Sequence, residues 1–508
     1  MIAVVGTPRA APLRRLVGMS AVVTAAAVAG GAPDPSRWHG FNLLEKFTAR
    51  NQRPFVEDDF RWICELGFNF VRLPMDYRCY APDILSTNFR EEVLREIDQA
   101  VDYGRRHGVH VCINLHRAPG FCINPPAEPR DLWTDPEVQA AFVAHWTMFA
   151  RRYRGIPGSE LSFNLLNEPA RCTREAYLKV HLAAIDAIHA IDPDRPVMVD
   201  GHEAGRAPLE EFLARPNVIL ATRGYHPGTV SHYRAGWVKG SDQWPTPAWP
   251  MLGIVGYLYG PTKKEYQSPL VLEGSFPAGA EVWLDLRRMS GSMTLAAEAD
   301  GVEIARRAIR PAAETNDWHR DPSEPRWPIH ASPSGVVWRV RLERPASRIA
   351  LRAVEGDWAI FREIGLWWPG DPPRAFGADP RWGATQAVWR VSAEGHILPQ
   401  PGVEPDAPLR EYLKPWLDYR ARGGRIFVGE FGCYNKTPHE VALAWLGDWL
   451  RLWHREGIGW AMWNFRGTFG ILDSGRADVR YEEWRGHRLD RRMLELLQRH
   501  LPGRLASP

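Results

Sequence analysis

Short apolar runs recur along most of the chain, separated by stretches in which apolar residues return every three or four positions. The runs lie at 40–44, 68–73, 109–114, 161–166, 196–200, 218–222, 425–429 and 459–463. Most are apolar on successive positions, the pattern of strands buried on both faces. Between them, Leu94, Ile97 and Val101 share one helical face, as do Val138, Phe142, Trp146, Phe149 and Tyr153, and Ala442, Trp445, Trp449 and Leu452. Eight such repeats predict an α/β fold, a (β/α)8 TIM barrel. From about 268 to 369 the alternation gives way to a turn-rich, period-two pattern, as at 282–286, 293–297, 336–342 and 349–353. Strands so spaced predict an all-β sandwich inserted between strand 6 and helix 6. Such an insert leaves the barrel on the face where active sites form, beside the cleft it would wall or extend. The chain divides into a signal-like leader (1–35), a first barrel part (36–264), the sandwich (265–374) and a second barrel part (375–508).

Composition changes this picture little. The 508 residues are 45% hydrophobic and 24% charged, as in ordinary globular chains. A net charge of +3 argues against a nucleic-acid binder, which needs a basic excess. Past residue 35 no uninterrupted apolar stretch reaches 18 residues, so no transmembrane domain is expected. Arg14 and Arg15 precede an uncharged apolar run and then small residues at 27–32, which reads as a signal peptide. The paired arginines fit the twin-arginine type, and a secreted or periplasmic location is expected. Of six cysteines, Cys64 and Cys112 read as core. Cys79, Cys122, Cys172 and Cys433 each follow a predicted strand, which leaves one or two disulfides open among them. No Cys/His spacing suggests a metal. The 23 Trp are many, and point to a surface that stacks on flat ligand faces as well as to core.

In a barrel, side chains just past the strand ends face the active site. The polar ones here are Arg72 and Asp76, His116 and Arg117, Asn167 and Glu168, Tyr225 and His226, Glu430, and Trp463 and Asn464. Two glutamates, at the ends of strands 4 and 7, stand without a metal motif or a nucleotide loop. Opposed carboxylates are what glycosidic cleavage needs: one protonated to donate to the leaving oxygen, one ionised as nucleophile or base. Their mutual repulsion helps keep the first protonated. No cofactor is required.

Asn167-Glu168-Pro169, the Gly-Glu-Phe-Gly around Glu430 and the Trp-Ala-Met-Trp ending at Trp463 resemble glycoside hydrolase family 5, the cellulase-like enzymes. So do the runs at 68–74, 113–120 and 469–474, in order along the barrel. The resemblance implies Glu168 as acid/base, Glu430 as nucleophile and retention of configuration. It implies Arg72 holding the nucleophile, Asn167 on the sugar 2-hydroxyl, His116 and His226 in the substrate site, and Trp463 as a sugar platform. The family usually has His-x-Tyr after strand 6, the Tyr touching the nucleophile. Counted from His226, Gly228 takes that place, and Tyr225 or Tyr233 is left to supply the hydroxyl.

The resulting expectation is a monomeric endo-β-1,4-glucanase acting on β-glucan or a related polysaccharide. Mannan, β-1,3-glucan and glucoside substrates use the same pair and depend on the loops. A non-catalytic carbohydrate-binding protein is the reading from another class, and the intact pair of glutamates speaks against it. Loop residues Trp133, Trp237, Trp244 and Trp249 are candidate sugar subsites, and Trp445, Trp449 and Trp453 read as core. The insert resembles carbohydrate-binding modules by pattern. Its Trp318, Trp327, Trp358, Trp367 and Trp368 either form a sugar platform or pack the sandwich onto the barrel.

Overall fold

A computed structural model describes residues 34–503 except 216 and 403. The apolar leader run lies outside the described residues. Eight parallel strands close a barrel: β1 (His39–Asn42), β2 (Phe70–Asp76), β3 (His110–Arg117), β4 (Leu161–Asn164), β5 (Val197–Asp200), β6 (Val218–Gly224), β7 (Ile426–Phe431) and β8 (Trp460–Met462). Every residue of these strands is buried. That explains why the runs read as continuously apolar: outward positions meet helices, inward positions meet one another. Where β1 passes β2, a Cβ on Gly40 would lie 1.7 Å from the Phe70 carbonyl oxygen, so only glycine fits.

Helix starts follow from local chemistry. Asp135 accepts from the Glu137 amide ahead of Pro136–Arg152, and Thr173 accepts from the Ala176 amide ahead of Arg174–His189. Helix Glu91–His107 ends on Gly108 at φ 67°, the left-handed cap that favours glycine.

Period two sorts the barrel interior into layers. Phe70, Cys112, Met198, Ile219, Phe427 and Ala461 pack together as an apolar floor with Trp38. Two residues further along the strands stand Arg72, Asn114 and Asp200, with Asn164 on β4 at the same level, all buried. The change from apolar to polar layer puts chemistry at the C-terminal mouth.

Between β6 and helix Ala407–Ala421 the chain forms two further sheets, of seven and five strands. Leu284, Leu295, Ile349 and Phe361 belong to their shared core. The sandwich strands run from Ile254–Val255 to Val388–Arg390, wider than the 265–374 expected. The outlying strands are two to six residues long and join by tertiary pairing, as Ala378 with Ile254 and Val388 with Val271. No periodicity marks such short pieces in the sequence. Among the described residues no helix is long and apolar enough to cross a membrane. All six cysteines are free, so no disulfide joins the four at the strand ends.

Candidate active site

Above the polar layer the barrel mouth opens into a cleft of about 1280 Å³, with Glu168 and Glu430 among its lining residues. Each glutamate is placed by a local departure from regular backbone. Glu168 follows β4 in a left-handed conformation, φ 47°, at a cost of roughly 1–2 kcal/mol for a side-chain-bearing residue. Its amide is held at 2.8 Å by Asp200 Oδ2. Glu430 lies on β7, whose pairing with β6 shifts register between Val428 and Glu430. The irregularity re-aims a side chain that strict alternation from Phe427 and Gly429 would point outward.

The two carboxylates sit in different surroundings. Arg72, fully buried, donates from Nη1 to Glu430 Oε1 at 2.6 Å. Its other donors go to Asn164 Oδ1 (2.8 Å), Asn42 Oδ1 (3.0 Å) and Asn167 Oδ1 (2.8 Å), so the guanidinium cannot turn away. The Tyr225 hydroxyl stands 3.2 Å from the other Glu430 oxygen, Oε2. Burial and the charge of Glu430 push the Tyr225 phenol well above its usual range, which keeps it a donor. Glu168 has no such cage. Burial is the main force on it, Arg223 opposes, and the charges of Glu430 and Asp200 add to it; together they push it up to about 7.

Asn167 accepts at Oδ1 from both Arg72 and Arg223 Nη2, each at 2.8 Å. Its Nδ2 is thereby turned toward His116 Nε2, 3.4 Å away. Asn124 Nδ2 also faces that nitrogen, at 3.3 Å, so His116 accepts at Nε2. Burial and the charges of Arg72 and Arg223 drive His116 well below the usual histidine range, leaving the ring neutral. Trp463 lines the cleft beside it, with ring centroids 5.4 Å apart.

Glu168, Glu430, His116 and Trp463 therefore line one cleft, with Arg72 and Asn167 buried behind them. His226 is a partial exception. It reaches the cleft wall, but its ring stacks on Tyr412 at 4.9 Å and its carbonyl accepts the indole N–H groups of Trp445 and Trp449. The histidine beside Glu430 is His232, whose ring is 4.9 Å from that of Tyr225; burial lowers it to about 4. The placing of Gly228 at the tyrosine position is also corrected. The spacing is met three residues earlier, as Arg223-x-Tyr225, with arginine where the family pattern has histidine. Asp76 and Arg117 serve the loops: Asp76 accepts from Arg78, and Arg117 is paired with Glu128 at 2.6 Å.

The tryptophans divide as well. Trp237 and Trp244 line the cleft. Trp133 is buried against Phe121, and Trp249 donates to Asp448. Of the five in the insert, Trp318, Trp358 and Trp368 are buried and Trp327 is exposed, so they form no shared platform. No residue of the sandwich strands lines the cleft, against the expectation that the insert would wall it.

Arg223, Asp200, Asn164, Asn42 and His232 were not picked out from the sequence. Alternation was the available signal for Asp200 and Arg223, which lie two and four positions beyond the floor residues Met198 and Ile219.

Residues 33–244 match the model of the cellulase family, glycosyl hydrolase family 5. Endoglucanase C of Acetivibrio thermocellus is 28% identical over 185 residues, 36% of this chain and 53% of that protein. Cellodextrinase A of Ruminococcus flavefaciens is 29% identical over 191 residues, 36% of this chain and 54% of that protein. The chain thus spans about half the length of these curated relatives. A solved structure described as a glycoside hydrolase superposes with a TM-score of 0.59 at 26% identity, covering 91% of this chain and 99% of its own.

Proposed function

We propose that this chain, whose barrel is a glycosyl hydrolase family 5 (β/α)8 fold, is a retaining glycosidase that cleaves β-linked glucan internally, an endo-β-1,4-glucanase. The observation that carries the reading is the split environment of the two carboxylates. Glu168 is pushed up to about 7, and Glu430 is clamped by Arg72 at 2.6 Å and Tyr225 at 3.2 Å. Two carboxyl groups held this differently divide into acid and nucleophile.

In the first half-reaction Glu168 gives its proton to the glycosidic oxygen as the bond from that oxygen to the anomeric carbon breaks. A Glu430 oxygen bonds to the same carbon, forming a glycosyl ester. In the second, the Glu168 carboxylate takes a proton from water. The water oxygen bonds to the anomeric carbon, and the ester electrons return to Glu430. Asn167 presents Nδ2 to the 2-hydroxyl, an orientation set by two guanidinium groups on its Oδ1.

The substrate class is supported by the names of the relatives, an endoglucanase and a cellodextrinase, and by the cleft. Its volume of about 1280 Å³ is more than a drug-sized ligand fills, roughly 300–1,000 Å³. The exposed Trp237 offers a face for a further sugar ring. The signal-like leader supports action outside the cytoplasm, where a polymeric substrate is met. The test is reducing-end release on carboxymethyl-cellulose, mannan and laminarin by wild type and Glu430→Gln. Release on carboxymethyl-cellulose that disappears in the variant is expected. Binding with turnover equal in both proteins would make the chain a carbohydrate-binding protein instead.

A further inference from the structure

We propose that Arg223 is a positioning residue that couples the two glutamates, making Glu168 give up its proton when Glu430 becomes an ester. The inference rests on the acid/base and nucleophile reading above and goes beyond it, because no feature of that reading requires an arginine here.

Arg223 is buried on β6 and reaches three carboxylates. Nη2 hydrogen-bonds Asp200 Oδ2 and lies 3.5 Å from Glu430 Oε1. Nε lies 3.3 Å from Glu168 Oε1, and this buried nitrogen makes no hydrogen bond of its own. The donor facing Glu168 is therefore in reserve.

The charges explain what the reserve does. The groups facing Glu168 are Arg72 from β2, Asp200 from β5, Arg223 and Tyr225 from β6 and the residue after it, Tyr412 from helix Ala407–Ala421, and Glu430 from β7. With Glu168 protonated, two cations (Arg72, Arg223) face two anions (Asp200, Glu430). When Glu430 is esterified one anion disappears, and one guanidinium is left unbalanced in a buried site. Ionisation of Glu168 restores the balance, and the unused Nε is the donor that meets the new charge. The proton goes to the leaving group, or to solvent where the leaving group needs none, so nothing else need be supplied. Water then returns it in the second half-reaction.

A guanidinium keeps its charge under burial that holds His116 and His232 below the usual histidine range.

The experiment uses the full chain with 2,4-dinitrophenyl β-cellobioside, whose leaving group needs no proton. Arg223→Gln, Arg223→Met and Arg223→Lys are compared with wild type by stopped flow and by pH profile. The two neutral variants are expected to form the glycosyl-enzyme at a rate within about threefold of wild type. They should hydrolyse it about tenfold or more slowly, giving a burst near pH 6 that shrinks as pH rises. The acidic limb of the hydrolysis step moves up by about one pH unit or more, and Lys keeps it near wild type. Arg223→Met keeps the test open if the Gln variant does not fold. Equal slowing of both steps with unmoved limbs would make Arg223 merely structural and overturn the proposal. A wild type that releases no dinitrophenol, or that Glu430→Gln matches, would sink the glycosidase reading itself, a separate result.

Discussion

The Tyr225 hydroxyl and Glu430 Oε2 are 3.2 Å apart, on the carboxylate oxygen that Arg72 does not hold. The hydrogen bond fixes the rotation of the carboxylate about its last bond and stabilises its ionised form. A hydrogen bond to a charged group contributes roughly 1.5–3 kcal/mol. Tyr225→Phe is therefore expected to lower kcat by about 10- to 100-fold with KM changed little. Steady-state kinetics on an aryl cellobioside checks this, and an unchanged kcat would show that Arg72 alone orients Glu430.

The position of Glu168 has consequences for activity and stability as pH changes. In the proposed role of general acid, pushed up to about 7, it loses its proton above that pH, and kcat/KM should fall tenfold per unit on the alkaline side. The linkage runs the same way. Folding raises the proton affinity of this carboxyl from 4.5 to about 7, so its stabilising contribution is full below 4.5 and is lost as pH rises through about 7. Glu168→Gln has no proton to lose. It should be nearly inactive on cellulose, yet gain on the order of 1–3 kcal/mol over wild type between about pH 4.5 and pH 8. Urea unfolding at the two pH values measures the gain, and a constant difference would contradict the assignment.

Trp237 lies at the cleft with 58% of its surface exposed, its ring edge-on to Tyr434 at 4.8 Å. It is supported from one side and free on another, as a sugar-stacking ring must be. Trp237→Ala is expected to raise KM on carboxymethyl-cellulose several-fold, with stability within about 0.5 kcal/mol of wild type. An unchanged KM would place the polymer elsewhere in the cleft.

These residues also show where reading the chain alone stops. The barrel was legible because strands buried on both faces leave apolar runs, and Glu168 and Glu430 because strand ends face the mouth. Arg223 was hidden by a boundary: ending the sixth strand at 222 put it outside the run, although β6 continues to Gly224. Counting from His226, which packs on Tyr412, left Tyr225 level with Tyr233 as candidates for the hydroxyl. Asp200 and Asn164 were polar residues inside runs read as mostly apolar, and their cross-strand bonds to Arg223 and Arg72 reveal their role. The sandwich was legible in its long strands and not in Ile254–Val255 or Val388–Arg390, which are held by partners far along the chain.

The most direct test of the account is covalent trapping. The chain is incubated with a 2-deoxy-2-fluoro-β-cellobiosyl donor carrying a good leaving group, then digested and mapped by mass spectrometry. The account expects one fluorocellobiosyl group per chain, esterified to Glu430, with Glu168 unmodified. No adduct together with first-formed product of inverted configuration, or an ester on any other residue, would contradict it.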